Sequence, residues 1–335
     1  MKAIVCRRYG APDVLELAEL EKPIPAADEV LIRVRAASVN ALDRHFMRGE
    51  PFLVRAMVGL RRPKEPRLGV DVAGEVESVG ANVRDLKPGD AVFGTARGAF
   101  GEYVCTAKVV RKPAGVTFEE AAAVPIAGFT ALQAIRDKGR VQPGERVLIH
   151  GAAGGVGTFA VQIAKAYGAE VTAVSRTENL DLLRSIGADR VIDYTRDDFT
   201  KSGQYDVIID CYATQPLAAC RRALGLNGRY MMVGSPGLLA SVAGLIAAKL
   251  RSIGSSRKAG IVSAKNNPKD LTALAELMEA GKLKPVIDRR YTLSEVREAI
   301  RYLEEGRARG KIVIQVEEEV LGGQGEDISR RVYPP

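Results

Sequence analysis

Histidine and cysteine are scarce in this sequence. Its two histidines, His45 and His150, lie on different segments, and its four cysteines, Cys6, Cys105, Cys211 and Cys220, stand far apart without a Cys-x-x-Cys pair. That distribution argues against a disulfide framework and a cysteine-held metal, and it fits a reducing cytoplasm. Long apolar runs are missing too. The longest, "GLLASVAGLIAAKL" at 237–250, falls short of the ~20 residues that cross a bilayer. The opening "KAIVCRRYG" alternates like a strand, and Arg7 and Arg8 stand where an export signal would stay apolar. Between Asp210 and Asp270 there is no acidic residue.

What remains is an ordinary globular composition, 46% hydrophobic and 27% charged over 335 residues. A chain of that length forms two domains, because single cores stop growing at roughly 250–300 residues. Net charge is +8. A solvated basic face explains it better than an RNA or membrane-surface contact. DNA is not expected, and the aromatics that a base-stacking platform interleaves with its bases are absent.

Up to about residue 125 the pattern is of short strands and turns: "KAIVCRRYG", "DVLELAEL", "EVLIRVRAAS", "VAGEVESVG", "DAVFG" and "GEYVCTA", with "KPGD" between two of them. From about Ile126 strands alternate with helical periods. "RVLIHG", "EVTAVS", "DRVID", "DVIID", "RYMMVG" and "AGIVSA" supply strands, while Gly168 and Gly187 stop helices. This alternation predicts a doubly wound parallel sheet. A helix follows Asn267 and ends at Gly281, after which "PVIDRRYTLSEVREAIRYLEEGRARGKIVIQV" returns to strand, helix and strand. Those last strands need a partner sheet, and the N-terminal β-rich half is the available one. We therefore expect an α/β chain with a β-rich domain of residues 1–125 plus 284–335 and a doubly wound domain, 126–283, inserted into it. The acidic tail from Glu317 reads as loose.

The stretch "HGAAGGVGTFAVQIAKAYGAEVTAVSR", His150 to Arg176, holds a glycine turn directly after one strand and directly before a helix. The dinucleotide fingerprint is met as Ala152, Gly154 and Gly157. Small residues there let a pyrophosphate approach backbone N–H groups at the helix start. An NAD site usually carries an acid at the end of the second strand, whereas this chain has Ser175 and Arg176 there. A hydroxyl followed by a guanidinium suits a 2′-phosphate, so NADP(H) is the expected cofactor. Glu178 nearby leaves the choice open.

The whole chain from Met1 to about Val316 resembles the medium-chain dehydrogenase/reductase superfamily, in particular its zinc-free quinone oxidoreductase branch. The resemblance is carried by "AASVNALDRHFMRG", "GVDVAGEVESVG", "LKPGDAVFG", "FEEAAAVPIAGFTALQAI", "VLIHGAAGGVG" and "EEGRARGKIVI". It implies a GroES-like catalytic domain around a Rossmann domain, and a homodimer joined through Rossmann edge strands. Zinc-dependent relatives have a cysteine where this chain has Ser38 to Asn40, and Gly-His-Glu within its Gly69 to Glu75. No metal site is expected.

The resemblance also implies direct hydride transfer from NADPH to a quinone or an α,β-unsaturated carbonyl. It places Asn40 at the catalytic cleft, with Asp43 and Arg48 in the same motif. His45 stands where many quinone reductases have tyrosine, so it is a catalytic candidate, although a lone histidine is more often structural. His150 reads as structural. Cofactor contacts implied are Thr130, Gly154, Gly155, Val156, Ser175, Arg176, Tyr194 and Gly234, and more weakly Lys311. Two basic, apolar stretches, 49–67 and 235–258, follow cleft segments and are expected to form a greasy cationic mouth or, equally well, a lid or dimer contact. Alternative readings are a zinc-independent acyl-thioester or carbonyl reductase, and an NADPH-binding protein acting on RNA or a protein partner.

Overall fold

The computed structural model describes residues 1–234 and 256–316. The tail from Glu317 and most of the second basic stretch lie outside the described residues. β1 (Lys2–Cys6) and β2 (Leu15–Glu19) make an antiparallel pair. β3 (Val30–Val39), β4 (Asp71–Val79), β5 (Ala91–Thr95), β6 (Tyr103–Thr106) and β7 (Val109–Arg111) build a second, antiparallel sheet. Its far edge is completed by β14 (Ile287–Thr292) and β15 (Lys311–Gln315), giving the order β14-β15-β3-β4-β5-β7 with β6 on β3. The end of the chain thus returns to the sheet of its beginning.

Between them lies a wholly parallel sheet of β8 (Arg146–His150), β9 (Glu170–Ser175), β10 (Arg190–Asp193), β11 (Tyr205–Asp210), β12 (Leu224–Met232) and β13 (Lys258–Ile261). The order is β10-β9-β8-β11-β12-β13. Order reverses between β8 and β11, and in doubly wound sheets ligands bind off the carboxyl ends of the strands at such a reversal. The continuous apolar runs of β8 and β11 fit strands covered on both faces: Val147, Leu148, Ile149, Val207, Ile208 and Ile209 are fully buried.

Helices in the N-terminal half were not expected from the strand-like rhythm of that region. α1 (Ala41–Arg48) and α2 (Leu53–Val58) follow β3, and α3 (Phe118–Ala123) and α4 (Pro125–Leu132) lead into the parallel sheet. They are short, so they lack the long apolar period that announces a helix. Their signals are caps. Thr117 Oγ1 accepts the Glu120 N–H at 3.1 Å, and Glu120 accepts the Thr117 N–H in return at 3.0 Å. Ala121 to Val124 and Phe129 pack against Ala36, Ala73 and Phe93 on one side and Phe159 and Ile163 on the other. One continuous apolar cluster therefore joins the two sheets.

α5 (Gly155–Ala166) buries Phe159, Ala160, Ile163 and Ala164, spaced as one face of a helix. α6 (Leu180–Ser185), α7 (Leu217–Arg222), α8 (Pro268–Glu279) and α9 (Val296–Glu304) complete the α-helices among the described residues. Asn267 caps α8 by accepting the Lys269 N–H at 3.0 Å, and Gly281 beyond it has φ +66°.

Candidate active site

A cleft of about 1100 Å³ runs along the carboxyl edge of the parallel sheet and opens against β15, α9 and the loop between them. One end is built by the glycine turn. Gly154, Gly155 and Val156 line it where α5 begins, so the orphan N–H groups of that helix face the cleft. A Cβ on Gly157 would run into the Gly151 carbonyl, and one on Gly155 would come within 3.4 Å of the Gly310 carbonyl and the Lys311 stem. The first glycine lets helix and strand pack closely. The second keeps the cleft floor open.

At the end of β9, Ser175 is buried and its Oγ accepts from Asn179 at 3.1 Å. Arg176 is exposed, and its Nε donates to the Tyr194 hydroxyl at 2.7 Å. All three line the cleft. At the switch point His150 is buried, and its Nδ1 lies 2.8 Å from Asp210, which also accepts from the Tyr230 hydroxyl at 2.7 Å. Nδ1 therefore carries the proton, because a carboxylate only accepts. The sequence reading of His150 as structural misses that it also lines the cleft.

At the other end three neighbouring strands bring polar side chains together. Ser38 on β3 faces Asp71 on β4 in register, and Lys311 opens β15, the strand on the opposite side of β3. Asp71 is fully buried and saturated: Oδ2 accepts from Ser38 Oγ at 2.8 Å, Asn40 Nδ2 at 2.9 Å and Lys311 Nζ at 3.5 Å, while Oδ1 accepts the Ile126 N–H at 3.0 Å. Asn40 caps α1 and is bound at both ends. Its Nδ2 donates to Asp71 and to the Ser38 carbonyl at 3.3 Å, and its Oδ1 accepts from Lys311 Nζ at 2.6 Å. Asn40 and Lys311 both line the cleft.

Asp43, one turn into α1, accepts the Asn40 N–H at 2.8 Å with one oxygen, while its other oxygen has no partner. Burial pushes its carboxyl up to about 7, with Asp71 adding to the effect and Lys311 opposing it. Burial also pulls the Lys311 ammonium below its ordinary value, against the attraction of Asp71 and Asp43.

Other predicted positions fall elsewhere. His45 does not line the cleft; its Nδ1 donates to the Glu50 carbonyl at 2.7 Å and burial lowers its pKa. Arg48 pairs with Glu304 of α9, as does Arg44 at 3.1 Å, which fixes α1 on α9. Thr130 lies inside α4 with its hydroxyl on the Ile126 carbonyl at 2.7 Å. Gly234 approaches the Cys211 carbonyl beside the switch point. In the first basic stretch Phe52 and Leu60 are exposed. Sequence reasoning missed Ser38 and Asp71 as members of the cluster. The signal was there, a lone acid in the apolar run "GVDVAG".

Two family models match the chain, one on each side of the glycine turn. Residues 26–133 match the alcohol dehydrogenase GroES-like domain and residues 186–314 match the family described as zinc-binding dehydrogenase. A chloroplastic quinone oxidoreductase of Triphysaria versicolor is 35% identical over 94% of this chain and 98% of its own length. The chain belongs to the medium-chain dehydrogenase/reductase superfamily, in its quinone-oxidoreductase-like branch. It is an oxidoreductase of that superfamily and uses a pyridine nucleotide, NAD(P)H. A trans-enoyl reductase of Aspergillus terreus is 34% identical over 87% of each chain. The solved quinone oxidoreductase of Coxiella burnetii superposes with a TM-score of 0.83 at 32% identity, covering 95% of this chain and 99% of that one. Among the described residues no three His, Cys, Asp or Glu side chains gather as a metal site, and no helix is long and apolar enough to cross a membrane.

Proposed function

We propose that this oxidoreductase uses NADPH to reduce a quinone or an α,β-unsaturated carbonyl without zinc. The observation that carries the cofactor choice is the end of β9. Ser175, Arg176 and Tyr194 line the cleft there, and a guanidinium fork binds a phosphate that an acid in the same place would repel. Bound there, the cofactor supplies hydride. Gly154, Gly155 and Val156 would present N–H groups to its pyrophosphate. The domain division expected from the sequence, 1–125 plus 284–335 around 126–283, puts the cleft between the two domains.

Zinc does not fit the donor set. The ammonium of Lys311 already occupies the cluster around Asp71, and a second cation beside it would be repelled. Quinone and enone acceptors match a site whose polar end offers hydrogen-bond donors, and the quinone oxidoreductase and trans-enoyl reductase relatives support the same class. Four free cysteines favour a reducing compartment, in our reading the cytoplasm. A homodimer formed along the edge strand β13 completes the reading.

The test is NADPH oxidation followed at 340 nm with chelator-treated protein against ortho- and para-quinones, enals and aldehydes, with NADH in parallel. Chelator-insensitive turnover of quinones or enals with a preference for NADPH supports the proposal. Turnover that chelator abolishes and zinc restores overturns it.

A further inference from the structure

Three facts about the Lys311 cluster do not follow from a cofactor-binding role. Its ammonium has three protons but only one short partner, Asn40 Oδ1 at 2.6 Å; the contacts to the Val39 carbonyl and to Asp71 are long, 3.4 and 3.5 Å. The residue is 3% exposed, yet it lines the cleft. Its charge is matched by Asp71, whose remaining lone pairs are taken by Ser38, Asn40 and the Ile126 N–H. The carboxylate is held in place by four donors, whereas two of the ammonium's three hydrogen bonds are long enough to be exchanged for a nearer oxygen. A buried charge with two weakly held donors, on a residue that lines a cleft, is suited to oxygen that gains negative charge.

Asn40 is the other candidate at this end, and its geometry points away from that task. Both amide hydrogens are already spent on Asp71 and the Ser38 carbonyl, so Asn40 has none left for a substrate. Its oxygen instead aims Lys311.

We propose that Lys311 is the electrophile and proton donor of the reaction, binding the carbonyl oxygen of the acceptor, with Asn40 and Asp71 as its positioning residues. The substrate class that follows is a conjugated carbonyl whose oxygen becomes an enolate or phenolate. This rests on the hydride-transfer reading above. In an enone, hydride forms the new C–H bond at the β-carbon, and the π electrons move onto the carbonyl oxygen. An N–H bond of Lys311 then breaks as the O–H bond forms. The enol rearranges to the saturated ketone, and the amine, left beside the charged Asp71, regains its proton from water. One hydride and one proton are consumed and nothing else is oxidised.

The experiment uses the holoenzyme with saturating NADP⁺ and 4-nitrophenol, whose phenolate mimics the enolate and absorbs in the visible. Because it needs no turnover, it separates this proposal from the functional reading. In the wild type the bound phenol should ionise about one pH unit or more below the free dye, the effect expected of a cation ~4 Å away. Lys311→Met should abolish that shift and lower kcat with an enone by about 100-fold, the usual weight of general acid catalysis, while NADPH affinity stays within about threefold. Should Lys311→Met fold poorly, since it strands Asp71, the double variant Lys311→Met with Asp71→Asn removes both charges and should behave alike. Lys311→Arg should retain part of the shift. Absence of phenol binding, or an equal shift in wild type and Lys311→Met, overturns the proposal. So does a large loss of NADPH affinity with the shift intact, which would make Lys311 a cofactor contact. A phenol shift without turnover of any quinone or enone leaves the oxyanion site standing and removes the functional reading instead.

Discussion

In the function proposed above, the two ends of the cleft solve opposite problems. At the nucleotide end the polar work is done by backbone N–H groups of α5 and by Arg176, exposed and free to adjust. At the acceptor end it is done by Lys311, Asp71, Asn40 and Asp43, all buried and bonded to one another. A phosphate arrives with its charge and is matched by loosely held donors. An oxyanion that forms during reaction is better served by donors fixed in advance, because nothing then has to reorganise. The cost of fixing them is a cluster of buried charges that is stable only when complete.

That difference predicts where mutation does most harm. Asp71→Ala would leave the Lys311 ammonium without the carboxylate it pairs with, and the Ser38 hydroxyl, one Asn40 hydrogen and the Ile126 N–H without their acceptor in the interior. Breaking a buried pair from one side costs roughly 3–5 kcal/mol. Thermal denaturation should show a fall in Tm of roughly 10 °C, while the variant below its melting range binds NADPH within about threefold of wild type. If the nucleotide affinity fell together with the stability, the two ends would not be separable.

Arg176→Ala tests the other end. A charge-assisted hydrogen bond contributes about 1.5–3 kcal/mol, so KM for NADPH should rise by about 10- to 100-fold with NADH unaffected and Tm unchanged. Equal losses with both cofactors would place Arg176 on something other than the 2′-phosphate. Its present partner, Tyr194, would be left without a donor, but both side chains are exposed and water replaces it.

How far the sequence could be read follows the same division. The glycine turn and its flanking elements were legible because they are local: turn, helix start and second strand fall within 27 consecutive residues, His150 to Arg176, and the βαβ context fixes their relation. The parallel order of β8 to β13 followed from the alternation of apolar runs and helical periods. The cluster around Asp71 was legible only in part, because Asn40, Asp71 and Lys311 meet through strand pairing across 271 positions of sequence. The resemblance named Asn40 for the cleft and, more weakly, Lys311 for the cofactor, without bringing the two together. Neither periodicity nor spacing says that β15 lies beside β3. The short helices α1 and α3 were missed for a local reason, since eight and six residues give too few turns for a period to emerge.

Asp43 offers a smaller and pH-dependent test of the buried end. Its carboxyl is raised from 3.8 to about 7, first by burial. Below pH 4 the group is protonated whether the chain is folded or not. Between about pH 4 and 7 the folded protein keeps the proton that the unfolded chain releases, so this contribution to stability falls as pH rises and is fully lost above 7. Asp43→Asn keeps an oxygen for the Asn40 N–H and removes the titration. Its Tm relative to wild type should therefore rise from pH 5 to pH 8, by on the order of a few degrees. A flat difference between the two pH values would mean that Asp43 stays ionised, held by Lys311, and that the cluster carries two carboxylates against one ammonium.

The smallest effect is expected at His45, and it bears on which residues belong to the acceptor end at all. The imidazole is absent from the cleft lining, and its Nδ1–H is committed to the Glu50 carbonyl at 2.7 Å. Burial lowers its pKa, which favours the neutral imidazole. A group in that state at that place orders the turn after α1 without exchanging protons with a substrate. His45→Gln, which can keep one donor, should change kcat by less than about threefold and leave the pH profile of kcat/KM in place. A loss above about 30-fold, or the disappearance of a limb of that profile, would bring the residues after Asn40 into the acceptor end and move the proton source from β15 to α1.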